Sequence, residues 1–266
     1  MQREDDDPIV ITYHDTTLRQ SEVDKLSGSD WLNDNLIAFW FEYLTHDVLR
    51  SEDFLCIDPS TMFMISFTDD INELRELLSP LKLTERRMVF MPINNHNSIE
   101  TAGGSHWSLL VYNRDSNQLH YYDSLRSHNI AAARKTARKM APLLLQEGEG
   151  EEEPAFVVAS SPQQINSSDC GLYVCALSEY IGKQFQQKQQ QQQQSGEGES
   201  ETSSVTRSNS NGKTLEQEVT PTNVSAKRKQ MKELILQLKI KQEEKKKGGA
   251  GGIFSLRRGK RKEQQT

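Results

Sequence analysis

"QQINSSDCGLYVC", Gln163 to Cys175, is the stretch on which the fold turns. A polar, turn-prone half runs through Asn166, Ser167, Ser168 and Asp169 directly into Cys170 and Gly171. Beyond them Tyr173, Val174, Leu177 and Ile181 recur at helical spacing, so a helix is predicted with Cys170 at its N-terminus. There the helix dipole and free N–H groups favour a thiolate, the state a nucleophilic cysteine needs. A buried, inert core cysteine fits the same stretch, and taken alone it leaves both readings open.

Working outward, "HWSLLVYNRDSNQLHYYDS" (His106–Ser124) holds two β-rich runs around a polar turn, the clearest hairpin in the chain. A turn over Asn113 to Ser116 would pair Tyr112 with Asn117 and set His106 opposite Asp123. Opposed residues share a face with Cβ atoms about 5 Å apart. Asp123 would then orient the His106 imidazole and stabilise its cation; the plainer alternative is a strand-end histidine and an aspartate closing a turn. Gln164, six residues before Cys170, is either a solvated loop side chain or an amide donor to an oxyanion beside the Cys170 N–H. Trp107 points to the face opposite His106, as a core aromatic would. Trp31 stands at a helix entrance, where helix packing does not require it, though a simple cap contact would explain it.

The remaining segments set the architecture. "IVITY" (Ile9–Tyr13) and "RMVFMPIN" (Arg87–Asn94) read as strands, and "AFVVAS" (Ala155–Ser160) as a buried one. A helix capped by Ser29 or Asp30 carries Leu36, Ile37, Trp40, Tyr43 and Leu44; a second covers "INELRELLSPL", stopped near Pro80; a third spans residues 129 to 145. "HNSIETAGGS" is a loop with a Gly103-Gly104 pair, and "EGEGEEEP" an acidic surface loop. Helices and strands mix without regular alternation, which implies an α+β protein with a central mixed sheet. Residues 1–183 would form the core. Residues 184–214, rich in Gln and Ser, would be a disordered insertion. Residues 215–246 would return as an amphipathic helix docked through Met231, Leu234, Ile235 and Leu238, and 247–266 would be a disordered basic tail.

Composition narrows the function classes. Three cysteines in 266 residues, with no CxxC pair, fit a reducing compartment and imply no disulfide framework, no metal and no cofactor. The acidic start "MQREDDDPIV" lacks a signal-peptide core, and no apolar run would span a bilayer. From Lys213 onward 15 Lys/Arg face 6 Asp/Glu, so the tail carries +9 and the rest −15 of the net −6. An acidic body is ill suited to nucleic acid and suits a basic protein partner. The expectation is a monomer in the cytoplasm, the nucleus or both, with "KRK" (Lys227–Lys229) and "RRGKRK" either a nuclear address or a solvated basic end.

Taken together, "DWLNDNLI", "GGSHWSLLVY", "YYDS" and "QQINSSDCGLYVC" resemble the Ulp/sentrin-specific cysteine protease family, over residues 8 to about 183 and again at the terminal helix. The likeness is greatest to its deneddylase branch. The resemblance implies a papain-like protease fold with Cys170 as nucleophile, His106 as general base, Asp123 as its orienter and Gln164 as oxyanion donor. It further implies that Trp31 and Trp107 flank a narrow tunnel for the Gly-Gly tail of a Nedd-type ubiquitin-like modifier, with Asp34 near a basic residue of that tail. Such an enzyme would release the modifier from lysines and trim its precursor. A SUMO protease shares this chemistry, an acyltransferase shares the Cys-His pair, and a silent binding module would keep the recognition surface alone. The glutamine-rich segment departs from the family pattern on the path to the terminal helix.

Overall fold

The computed structural model describes residues 7–96, 98–100, 103–145, 152–195 and 213–258. The chain enters through a hairpin of β1 (Ile9–Tyr13) and β2 (Thr16–Arg19), followed by a short α1 (Gln20–Asp24). Next comes α2 (Asp34–Tyr43). Its cap is Asn33, whose side chain accepts from the Leu36 N–H, not the expected Ser29 or Asp30. Trp31 therefore lies outside the helix, before its cap.

A central sheet follows in the order β3 (Phe54–Cys56), β4 (Met88–Asn94), β5 (Trp107–Asn113), β6 (Gln118–Tyr122) and β7 (Ala155–Val158). The outer pairs are parallel and the inner pairs antiparallel, so the sheet is mixed and the fold α+β. Strand alternation sends Met88, Phe90, Trp107, Leu109 and Val111 to one face and Val89, Met91, Ile93, Leu110 and Tyr112 to the other. Helices cover both faces. α3 (Pro59–Phe67), α4 (Ile71–Leu78) and α5 (Ile130–Leu144) lie on the second face, while α2 and α6 (Cys170–Ser195) lie on the first. Because both faces are covered, the central strands are buried along their whole length. β7 corrects the expectation of a buried strand. It pairs with β6 alone, and as an edge it leaves Ala155 and Val158 exposed.

The chain closes with α7 (Leu215–Glu218) and α8 (Pro221–Arg258). Met231 and Ile235 are fully buried and Leu234 and Leu238 pack beside them, so the terminal helix docks on the core. Two boundaries differ. α6 does not stop at residue 183 but runs to Ser195, with Gln186 bonded to the Leu49 carbonyl and Gln189 to Asp53. Glutamine is a good helix former, and a helix already nucleated against the core extends into the polar run cheaply. α8 likewise continues past Lys247 to Arg258. The rest of the expected insertion (196–212), the tail's end (259–266) and most of the acidic loop lie outside the described residues.

Candidate active site

His106, Asp123 and Cys170 meet at one end of the sheet. His106 immediately precedes β5, Asp123 immediately follows β6, and Cys170 begins α6, which packs against β5. The hairpin register differs from the expected one. Asn113 pairs with Gln118, because the turn occupies residues 114–117 and closes through Asn117 in a left-handed conformation (φ 47°). Moving a turn by one residue shifts the register by two, which keeps every side chain on its predicted face. His106 and Asp123 thus lie just beyond the paired strands yet still converge, with Nε2 2.6 Å from Oδ1.

The aspartate is fixed from all sides. Its Oδ1 also accepts from the Leu125 N–H at 2.8 Å, and its Oδ2 from the Tyr121 hydroxyl and the Asn129 N–H. Burial alone would raise the Asp123 pKa, but these bonds outweigh it and hold the carboxyl at about 2. The histidine backbone is anchored too: Asn95 Oδ1 accepts its N–H, and Asn129 Nδ2 donates to its carbonyl at 2.9 Å. Burial would lower the His106 pKa. Hydrogen bonds and charge from Asp123 and Cys170 reverse this and lift it to about 9, which favours the imidazolium. The other thiols lack such a partner; burial pushes Cys56 up to about 12 and Cys175 upward as well. Gly171 lets the start of α6 close on the wall opposite, since a Cβ there would stand 2.8 Å from the Leu32 Cβ.

The other expected residues surround this centre. Gln164 bonds its backbone to Ser124, accepts from Ser124 Oγ and donates from Nε2 to the Asn166 carbonyl, leaving one amide proton of two for another acceptor. Trp31 is 47% exposed, and its indole donates to the Ser167 carbonyl at 2.8 Å, so it bridges the entrance of α2 and the loop before Cys170. Trp107 is buried, as a core aromatic would be, with its indole donating to the Leu32 carbonyl. Its edge lines a cavity of about 500 Å³ shared with Asp34, Phe63, Asn94 and His96. Asp34 opens on that cavity, where lost hydration raises its pKa despite the nearby His96. Sequence reasoning missed Tyr121, Asn129 and Asn95. Only Tyr121 carried a local signal, two residues before Asp123 on the same strand face.

Among the described residues one group has metal-ligand character: His14, Glu42 and His46, with ligand atoms within 4.8 Å of one another. The two imidazoles stack at 3.6 Å with planes 13° apart, so their in-plane lone pairs do not converge on one ion. Nor does any described helix have the length and apolarity to cross a membrane.

Comparison with known proteins matches residues 30–199 to the Ulp1 protease family, C-terminal catalytic domain. The chain is 40% identical over 181 residues to sentrin-specific protease 8 of Homo sapiens, covering 67% of this chain and 84% of that protein. It is 33% identical to NEDD8-specific protease 1 of Arabidopsis thaliana, covering 68% and 78%. Among solved structures, the Ulp1 protease domain in complex with Smt3, the yeast ortholog of SUMO, superposes with a TM-score of 0.62. It is 18% identical and covers 88% of this chain and 89% of that one.

Proposed function

The chain belongs to the Ulp1 protease family, and we propose on that premise that it is a thiol isopeptidase acting on a Nedd-type modifier. It would cleave after the modifier's C-terminal Gly-Gly, both in lysine conjugates and in the precursor. The observation that carries the chemistry is the buried Cys170–His106–Asp123 line, in which the imidazole is held cationic between two acidic groups. The choice of modifier is supported by the Arabidopsis thaliana relative, whose name specifies NEDD8.

In this reading the Cys170 thiolate attacks the carbonyl carbon of the terminal glycine. The tetrahedral oxyanion accepts from the Cys170 N–H and the remaining Gln164 amide proton. Collapse breaks the C–N bond, and His106 hands its proton to the departing lysine amine, leaving a thioester. Neutral His106 then takes a proton from water, whose oxygen attacks the thioester carbonyl. Cys170 departs as thiolate and His106 is cationic again. Asp123 keeps the ring oriented throughout. Trp31 and Trp107 would flank the tail, which is thin enough at two glycines to pass between large aromatics. Asp34 would pair with a basic group on the tail. An acidic, monomeric protein of the cytoplasm or nucleus, binding neither nucleic acid nor membrane, fits this role.

The test uses two fluorogenic substrates, one carrying the Nedd-type modifier and one SUMO, with wild type and Cys170→Ala. Cleavage of the first, lost in the variant, is expected. Preferential cleavage of SUMO would overturn the modifier assignment, and cleavage of neither would leave a silent binding module.

A further inference from the structure

The side chain of Asp169, the residue before Cys170, is buried and turned toward the terminal helix. Oδ2 accepts from Asn166 Nδ2 at 2.9 Å and from Ser225 Oγ at 2.8 Å, and Oδ1 accepts from Arg228 Nη2 at 3.1 Å. Ser225 and Arg228 belong to α8. The same guanidinium uses Nη1 to donate to the carbonyls of Lys25 at 2.9 Å and Asp30 at 2.8 Å. Its side chain is 9% exposed and that of Asp169 7%, so the pair is sealed from water. Arg228 therefore clamps the chain neighbours of two site residues at once: Asp30 precedes Trp31, and Asp169 precedes Cys170.

We propose that Arg228 is a positioning residue of the active site, with Ser225 as its auxiliary, so that the terminal helix α8 completes the catalytic centre assembled by the first 183 residues. This rests on Cys170 being the nucleophile. Two effects follow from the geometry. The clamp fixes where α6 begins, and an error of about 1 Å in a nucleophile's placement costs on the order of 10²-fold in rate. It also neutralises the buried carboxylate of the residue that precedes Cys170. Without Arg228 that negative charge would oppose thiolate formation. Among the described groups, His106 before β5 interacts with Cys170 and is backed by Asp123 after β6, while Tyr173 on α6 lies in the field of Asp169.

The experiment compares Arg228→Ala, Arg228→Lys and Ser225→Ala with Lys232→Ala, which removes a different α8 contact, to Ser27. Each full-length variant is assayed for kcat and KM on the Nedd-type fluorogenic substrate, for Tm, and for the pH dependence of Cys170 alkylation by iodoacetamide. Arg228→Ala is expected to lower kcat about 30-fold with KM within about threefold, and to move the alkylation midpoint up by about one pH unit. Arg228→Lys restores the charge but not the fork, so its midpoint returns toward wild type while kcat stays depressed. Ser225→Ala loses a few-fold in kcat, and Lys232→Ala stays within about twofold. The proposal is overturned if a folded Arg228→Ala keeps both kcat and midpoint. It also falls if Lys232→Ala matches the loss. Should Arg228→Ala not fold, wild-type kcat in both Arg228→Lys and Ser225→Ala overturns it. Retained turnover in Cys170→Ala would instead sink the protease assignment itself, separately from the clamp.

Discussion

Asp123→Asn isolates the electrostatics of the site with little change of shape. The wild-type carboxylate accepts from His106, Leu125, Tyr121 and Asn129. An amide brings one nitrogen against donors on whichever side it turns, so at least one bond becomes a donor–donor clash. The larger effect falls on His106. Its rise from 6.5 to about 9 corresponds to about 3 kcal/mol of imidazolium stabilisation at a residue 3% exposed. Removing the Asp123 charge withdraws much of this and leaves burial, which lowers the pKa, opposed by Cys170 alone, so the imidazole falls back toward its ordinary value. The fall in kcat/KM at pH 7.5 is expected to be on the order of 10²-fold. The alkaline limb of the pH–rate profile should move well below its wild-type position near 9, as the imidazolium is lost earlier. Stability supplies an independent check. A group whose pKa is raised on folding contributes stability that is complete below its unfolded value and lost as pH rises through its folded value. Wild-type stability should therefore decline from about pH 6.5 to about 9, and the variant should lack that decline. Chemical denaturation across that range, beside initial rates, makes both measurements. An alkaline limb still near 9 with kcat/KM within threefold of wild type would refute the reasoning.

Cys170→Ala should abolish turnover while retaining modifier binding, measured by calorimetry against the free modifier. Gly104→Ala should lower Tm and kcat together, because φ is +85° there and a Cβ would meet Asn94 Oδ1 at 1.8 Å, two residues from His106; the cost is about 1–3 kcal/mol by denaturant titration. Exchange of residues 196–212 for a Gly-Ser linker of equal length should leave kcat/KM within about twofold. A direct splice of Ser195 to Lys213 should destabilise the fold: the Tyr180 hydroxyl donates to the Lys213 carbonyl, while α6 carries the chain roughly 22 Å beyond Tyr180.

What the sequence made legible is what local periodicity controls. The hairpin of β5 and β6 shows why the meeting of His106 and Asp123 is legible although the register is not. Strand faces alternate with period two, and a turn misplaced by one residue shifts partners by two, so the parity that brings His106 and Asp123 together survives. The apolar stripe of α8 was equally readable, since Met231, Leu234, Ile235 and Leu238 repeat at 3.6-residue spacing. β7 failed for the converse reason: four apolar residues look alike in an edge strand and a central one, and only the neighbour on each side decides. α6 outruns its expected end because low complexity alone does not imply disorder: a helix already packed on the core needs only residues that tolerate helical geometry.

The polar contacts that finish the site obey no such period, and this locates what a single sequence withholds. Asp169 and Arg228 are 59 positions apart, and the glutamine-rich stretch lies between them. From the sequence, Arg228 was one cation in the basic run Lys227–Lys229, a candidate address or a solvated end. In the fold its neighbours diverge. Lys227 turns inward to Glu179 and lies over the Trp40 ring, while Lys229 reaches only Glu233 on its own helix. Arg228 alone of the three reaches the residue before Cys170 and the residue before Trp31. A basic cluster that reads as surface therefore divides into one exposed and two buried cations. The buried ones bind the terminal helix to the helix that carries the thiol. The glutamine-rich stretch between them can then lengthen without disturbing the site, provided α8 still docks, because the clamp joins α6 and α8 directly rather than through that path.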